Sequence, residues 1–191
     1  MKDLTITFTP LNEQYLELVL SWRTSEHVTK NMYTDIEYSM KNQKRWFEST
    51  LTDKFNYYWI IHFNETPIGL ISINKLDIKN KHCTFGYYIG DLSYSMLGGR
   101  IQPYLYNFVF NKLKLNKIYA EVLEGNHSMM KMHKFYGFRE VGVLKEHIYK
   151  HDYFYDVHVF ELLSSLWLNE KKKFHTLQAE FEMGKYFSNM E

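Results

Sequence analysis

TFGYYIGD (Thr84–Asp91), MLGGR (Met96–Arg100), KIYAEVLEGN (Lys117–Asn126) and HSMMKMHKFYGF (His127–Phe138) follow one another along one stretch of the chain. The first is a short aromatic and β-branched run of strand type. The glycine pair Gly98-Gly99 then leads into a helical pattern that reaches Phe110. Lys117–Asn126 reads as a second strand ending at a Gly-Asn break, and His127–Phe138 as a short helix stopped by Gly137. Two strands with a glycine loop at a helix start predict a site for a phosphorylated ligand, because the first N–H groups of a helix are unpaired and point outward.

Working outward, Leu4–Leu11 alternates as an edge strand closed by Pro10 and Asn12. Tyr15, Leu18, Val19 and Trp22 then recur at helical spacing. Ser39 is placed to cap a second helix, with Met40, Trp46, Phe47 and Leu51 as its candidate buried positions. Tyr57–Phe63 and Pro67–Asp77 predict a hairpin, and Cys83–Gly90 a third strand. Arg139–Leu162 reads as a terminal hairpin. The pattern βααβββαβαββ is α+β: a mixed, twisted central sheet flanked by helices. Residues 1–165 are expected to form one domain. Residues 166–191 are expected to form a helical or flexible extension, in which Phe174, Leu177 and Phe181 lie at helical spacing.

A chain of 191 residues suits one domain with a sizeable core. Apolar residues make up 45% and aromatics 18%, which argues against disorder. A net charge of +1 gives no ground for nucleic acid or an anionic membrane as a partner. Cys83 is the single cysteine, so no intrachain disulfide can form, and a cytoplasmic setting is expected. No stretch has the apolar core of a signal peptide or the ~18 apolar residues of a membrane span.

The Gly98-Gly99 turn and the EVLEGN…FYGF block resemble the GNAT superfamily of acetyl-CoA-dependent N-acetyltransferases. The resemblance implies acetyl-CoA as co-substrate, with Leu97, Gly98, Gly99 and Arg100 forming the pyrophosphate loop. It also implies that Tyr87, Tyr88 and Ile89 hold the pantetheine arm through backbone groups. Asn126 matches the family asparagine after the next strand, a position that also suits a helix N-cap. The loop departs from the family pattern: with Gly98 in the first glycine slot, Arg100 stands where glycine or alanine is expected. Pro103 restricts the helix start to the neighbourhood of Gly99 or Arg100.

Acetylating an amine requires a group to take its proton and a donor for the departing thiolate. Glu121, in the middle of a strand, is the candidate base; a solvent-facing or lysine-paired carboxylate is the alternative. Many family members place a tyrosine seven residues after the helix asparagine, and here that slot holds His133. Met129, Met132, His133 and Tyr136 share one helical face, so His133 is expected to look inward, either as the acid or as a core histidine. Tyr136 is the second candidate acid. His147, His151 and His158 alternate on the terminal hairpin without a cysteine or carboxylate cluster, so no metal is expected.

Trp22-Arg23, Met32-Tyr33, Tyr57-Tyr58-Trp59 and Ile73–Asp91 further resemble the GNAT branch of the pseudaminic-acid pathway. That branch acetylates the 4-amino group of a UDP-linked 4-amino-4,6-dideoxy sugar. A UDP-sugar needs an aromatic platform and a cation, for which Trp22, Tyr33 and Trp46, and Arg23, are the candidates. A protein N-terminus or a polyamine is the alternative acceptor, and a non-catalytic acetyl-CoA-binding module the alternative class. A second copy of the chain is the candidate protein partner.

Overall fold

The computed structural model describes residues 5–169 and 173–183. Seven strands form one sheet in the order β1-β2-β3-β4-β5-β7-β6. They are β1 (Ile6–Pro10), β2 (Tyr57–Phe63), β3 (Thr66–Asp77), β4 (His82–Ile89), β5 (Lys117–Leu123), β6 (Arg139–Lys150) and β7 (Tyr153–Leu163). All neighbours are antiparallel except β4 and β5, which are parallel and pair only from His82↔Lys117 to Thr84↔Tyr119. Beyond that point β4 continues against β3 to Ile89 and β5 against β7 to Leu123, so the two strands part within the sheet.

Side-chain alternation divides the apolar residues between the two faces. Trp59, Ile61, Ile71 and Ile73 pack into the larger core with Ile101, Leu105 and Val109. Ile60, Leu70, Tyr58 and Tyr88 pack against Val19 and Trp22 on the other face. That second face carries α1 (Leu16–Thr24), α2 (Glu26–Thr29) and α3 (Met40–Thr50), with Ser39 Oγ accepting from the Asn42 amide as the N-cap of α3. Phe47 is buried as expected, whereas Leu51 lies past the last turn of α3 and is exposed.

The opposite face carries α4 (Gly98–Asn107), which follows a 3-10 turn over Leu92–Leu97 and continues as a wide π turn over Phe108–Lys112. Also on it is α5 (His127–Phe135), capped by Asn126. The helix expected through Phe174, Leu177 and Phe181 does not run that way. After α6 (Ser164–Asn169) there is one 3-10 turn, Lys173–Thr176, and residues 177–183 follow without regular structure. The carbonyls of Phe174 and Leu177 accept from the Asn107 side-chain amide, at 2.9 and 2.7 Å, and the Phe174 carbonyl also closes the 3-10 turn with the Leu177 amide at 3.3 Å. Phe181 inserts into the core, stacked on Phe8 with ring centroids 4.3 Å apart.

Gly90 marks where β4 leaves the sheet, and the Trp22 indole lies directly on it. A Cβ at Gly90 would stand 2.1 Å from the Trp22 ring, a rigid neighbour. Gly90→Ala is therefore expected to destabilise the fold by about 2–3 kcal/mol in urea unfolding. Gly142→Ala is the control, since a Cβ there meets nothing within 4 Å; an equal loss in both would contradict the close packing at Gly90.

Candidate functional site

The parting of β4 and β5 opens a cavity of about 400 Å³. Its walls are the β4 backbone from Phe85 to Ile89, the end of β5 with Glu121, the start of α4 at Gly98 and Gly99, and the α5 face of Met129, Met132 and His133. Along this edge the β4 amides and carbonyls have no β5 partner, so they are available to a ligand. Gly98 leaves its space open: a Cβ there would be in ordinary contact, 3.6 Å from Ile89. A Cβ on Gly99 would stand 2.9 Å from Met132 Cε, so a bare backbone keeps the helix start accessible. The Gly98 amide closes the preceding 3-10 turn on the Ser95 carbonyl, and no side chain caps the start of α4; this helix end, beside a free strand edge, fits a phosphate-bearing linear ligand.

Of the residues expected to hold that ligand, Tyr87, Tyr88, Ile89, Gly98, Gly99 and Asn126 line the cavity. Leu97 packs toward the core, and Arg100 is exposed one residue beyond the glycines; neither is part of the wall. Ser95, His27, Asn31 and Met32 line it without having been anticipated. The Tyr87 side chain points away from the α1 face. Its hydroxyl accepts from Gln102 Nε2 at 2.8 Å, and burial pushes its pKa up to about 12. Asn126 caps α5 by accepting from the Met129 amide at 3.2 Å and lines the cavity as well.

The three candidates for proton chemistry have different surroundings. Glu121 lines the cavity, its Oε2 accepting from the Tyr33 hydroxyl at 3.1 Å and its Oε1 3.8 Å from Lys75 Nζ. Burial, then the adjacent Glu121 carboxylate, raise the Tyr33 pKa, so that hydroxyl stays a donor. His133 is 2% exposed, with its ring edge-on to Phe85 and tilted against Phe138 and Phe160. Burial in this apolar setting lowers its pKa to about 4, so the imidazole is neutral at pH 7. Nδ1 is buried without a partner, which leaves Nε2 as the nitrogen on the cavity side. An orphaned N–H is rarer in protein interiors than an orphaned acceptor, so the proton belongs on Nε2.

Tyr136 is committed elsewhere. Pro103 sits inside α4 and has no N–H to give to the Gly99 carbonyl one turn back. The Tyr136 hydroxyl donates to that carbonyl instead, tying the end of α5 to the glycine turn. Its proton is engaged by backbone, outside the cavity wall.

A second cavity, of about 560 Å³, lies on the α1–α3 face and shares Met32, Gly86, Tyr87 and Tyr88 with the first. Arg23 and Trp46, two of the candidates for acceptor binding, line it together with Tyr58, Asn42, Gln43 and Asn74. Trp46 meets Tyr58 edge-on at 5.2 Å. Gln43 is 6% exposed and its Nε2 has no hydrogen-bond partner. Trp22 does not contribute: it is 7% exposed, buried against Gly90 in the α1-side core, because the helical turn sends it to the sheet while its neighbour Arg23 faces the cavity. Tyr33 reaches Glu121 and lines neither cavity. Among the described residues no group of three His, Cys, Asp or Glu side chains is arranged to hold a metal, and no helix is long and apolar enough to cross a membrane.

Residues 5–139 match the family model described as Acetyltransferase (GNAT) domain. Acetyltransferase PseH of Campylobacter jejuni serotype O:23/36 is 27% identical over 130 residues, covering 66% of this chain and 78% of that protein. The PseH of serotype O:2 is also 27% identical, over 128 residues. Among solved structures, the spermidine N-acetyltransferase of Vibrio cholerae in complex with CoA and spermine superposes with a TM-score of 0.80 at 19% identity. That match covers 86% of this chain and 98% of the other. The strand parting, the glycine turn at a helix start and the family match over residues 5–139 agree: the chain belongs to the GNAT family of acetyl-CoA-dependent N-acetyltransferases.

Proposed function

We propose that this acetyltransferase acts on the 4-amino group of a UDP-linked 4-amino-4,6-dideoxy sugar, by direct attack of the amine within a ternary complex. The observation that carries this reading is the composition of the second cavity. Trp46 and Tyr58 offer aromatic surface to a uracil, Arg23 a cation, and Asn42, Asn74 and the unpartnered Gln43 amide a polar wall. A polyamine would instead call for carboxylates, and Glu37 is the sole one among the described residues lining this cavity. Kinship with the PseH proteins supports the pseudaminic-pathway resemblance, whereas the likeness to the spermidine enzyme, at 19% identity, bears on fold alone. A buried, unpaired Cys83 accords with a cytoplasmic setting.

On this reading the β4 edge and the α4 start hold acetyl-CoA, which supplies an activated acyl carbonyl and a thiolate leaving group. Glu121, oriented by Tyr33, takes the proton the amine sheds as the C–N bond forms. With a pKa of about 4, His133 is an imidazolium in only about one molecule per thousand at pH 7. Its role is therefore that of a neutral Nε2–H donor to charge developing at the thioester. Tyr136 holds the glycine turn in place.

A thiol-release assay with acetyl-CoA and three acceptors checks the acceptor: a UDP-4-amino-4,6-dideoxyhexose, spermidine and a peptide with a free N-terminus. Turnover of the sugar alone is expected; turnover of spermidine or peptide alone would refute the sugar reading. The assay is clean because burial pushes the Cys83 thiol up to about 12, keeping it unreactive in the folded chain. Glu121→Gln is expected to lower kcat/KM by about 100-fold with acetyl-CoA affinity unchanged.

His133 also makes stability depend on pH. Its folded pKa lies below the unfolded value of 6.5, so its contribution is complete above that pH. As pH falls from 6.5 toward 4 the unfolded chain binds a proton that the folded chain refuses, and stability declines. The loss is on the order of 3 kcal/mol, read as the difference between wild type and His133→Phe in urea unfolding at pH 7 and pH 4. Equal pH slopes in the two proteins would contradict the buried, neutral imidazole.

A further inference from the structure

The segment from Lys30 to Ser39 joins α2 to α3 with neither helix nor strand, so its backbone carbonyls need partners from elsewhere. Two cations supply them. Arg23 donates to the Thr34 carbonyl at 2.7 Å and to the hydroxyls of Thr29 and Thr34 at 3.3 Å. Lys150 comes from the far end of the sheet, where β6 turns into β7 through His151 and Asp152, both at positive φ. Lys150 is 8% exposed, and its ammonium meets three acceptors: Asp35 Oδ1 at 2.7 Å, the Thr29 carbonyl at 2.9 Å and the Met32 carbonyl at 3.2 Å. An ammonium has three N–H groups, and all of them are used. Asp35 also accepts from Thr29 Oγ1 at 2.7 Å and stands 2.6 Å from His151 Nε2.

This arrangement is a clamp on the one irregular segment that reaches both cavities. Met32 lines both, and the next residue, Tyr33, carries the hydroxyl that holds Glu121. The Lys150 ammonium bonds to the loop and not to another strand, so its geometric consequence is the placement of Met32 and Tyr33. We propose that Lys150 is a positioning residue for the acceptor, fixing Tyr33 on Glu121 and Met32 between the two cavities by clamping residues 29–35. The proposal rests on the reading of the second cavity as the acceptor site and of Glu121 as the proton acceptor.

Lys150→Met keeps the apolar stem and removes the ammonium. In the folded variant, amide hydrogen exchange of residues 30–36 is expected to accelerate about tenfold or more, with the sheet peptides unchanged. With the UDP-4-amino-4,6-dideoxyhexose as acceptor, kcat/KM for the sugar is expected to fall about 10- to 100-fold. KM for acetyl-CoA should stay within about twofold, a split that general loosening of the fold would not produce. A double-mutant cycle with Tyr33→Phe is expected to be non-additive, the double variant being little worse than the weaker single one. Asp35→Asn, which leaves the ammonium and both carbonyls, should show the same split with a smaller effect and serves if Lys150→Met does not fold.

Unchanged exchange in residues 30–36, a matching rise in both KM values, or additive effects with Tyr33→Phe would overturn the proposal. If the wild-type protein does not acetylate the sugar, the acceptor reading alone fails. The exchange comparison then still decides the clamp, and the cycle is run with spermidine or peptide, whichever is acetylated.

Discussion

After Thr84 and Tyr119, the two central strands stop exchanging hydrogen bonds while each remains paired on its outer side. Backbone amides and carbonyls cannot be left unpaired in a protein interior without cost, so an unzipped seam in the middle of a sheet must be covered or used. Here it is bounded by the start of α4 below and by α5 and the α2–α3 segment around it. Those elements take their places because of the seam. Asn126 caps α5 at its rim, Gly98 and Gly99 bring a helix end to it, and Glu121 is carried into it by β5.

Tight local bonds hold the rim in shape. The gap that Pro103 leaves in the α4 ladder is closed by Tyr136, so the glycine turn is anchored through a side chain from the neighbouring helix. Gln102 and Tyr106 extend the same support: Tyr106 donates to Gln102, which donates to Tyr87. This chain of side-chain bonds is buried, where a fully partnered polar network rigidifies the packing around it. His133 contrasts with it, being enclosed by aromatic rings and holding an imidazole nitrogen without a partner.

Much of this was legible in the residues. The apolar runs Tyr57–Phe63 and Pro67–Asp77 on either side of a short connection, and the Gly137 stop, marked the strands and the helix end, because those signals are local. The inward face of α5 followed from the spacing of Met129, Met132 and His133. Trp22 shows where two readings of one residue compete: its spacing with Tyr15, Leu18 and Val19 puts it on the apolar stripe of α1, and it packs there and not in an acceptor platform, while its neighbour Arg23 faces about 100° away. The character of Tyr136 was hidden for another reason, since its partner lies 37 residues away and its engagement depends on a proline in a different helix. Lys150 is more distant still, 118 residues from the Met32 carbonyl, and no pattern in a hairpin turn announces a loop on the far side of the sheet. Phe174, Leu177 and Phe181 match helical spacing, yet of the three only Phe181 is fully buried and residues 177–183 have no regular structure, so the helical alternative for this tail rested on a coincidence of spacing.

The two cavities share Gly86, Tyr87 and Tyr88, so a single strand is the partition between them. A wall one backbone thick cannot be displaced on one side without being displaced on the other. Occupants that shift β4 are thereby thermodynamically linked: the factor by which one changes the affinity for the other is also the factor by which the other changes the affinity for the first. A molecule that spans the partition would also hold its second half at a high local concentration once its first half is seated. The geometry of this strand thus favours two-headed ligands over ligands confined to either chamber.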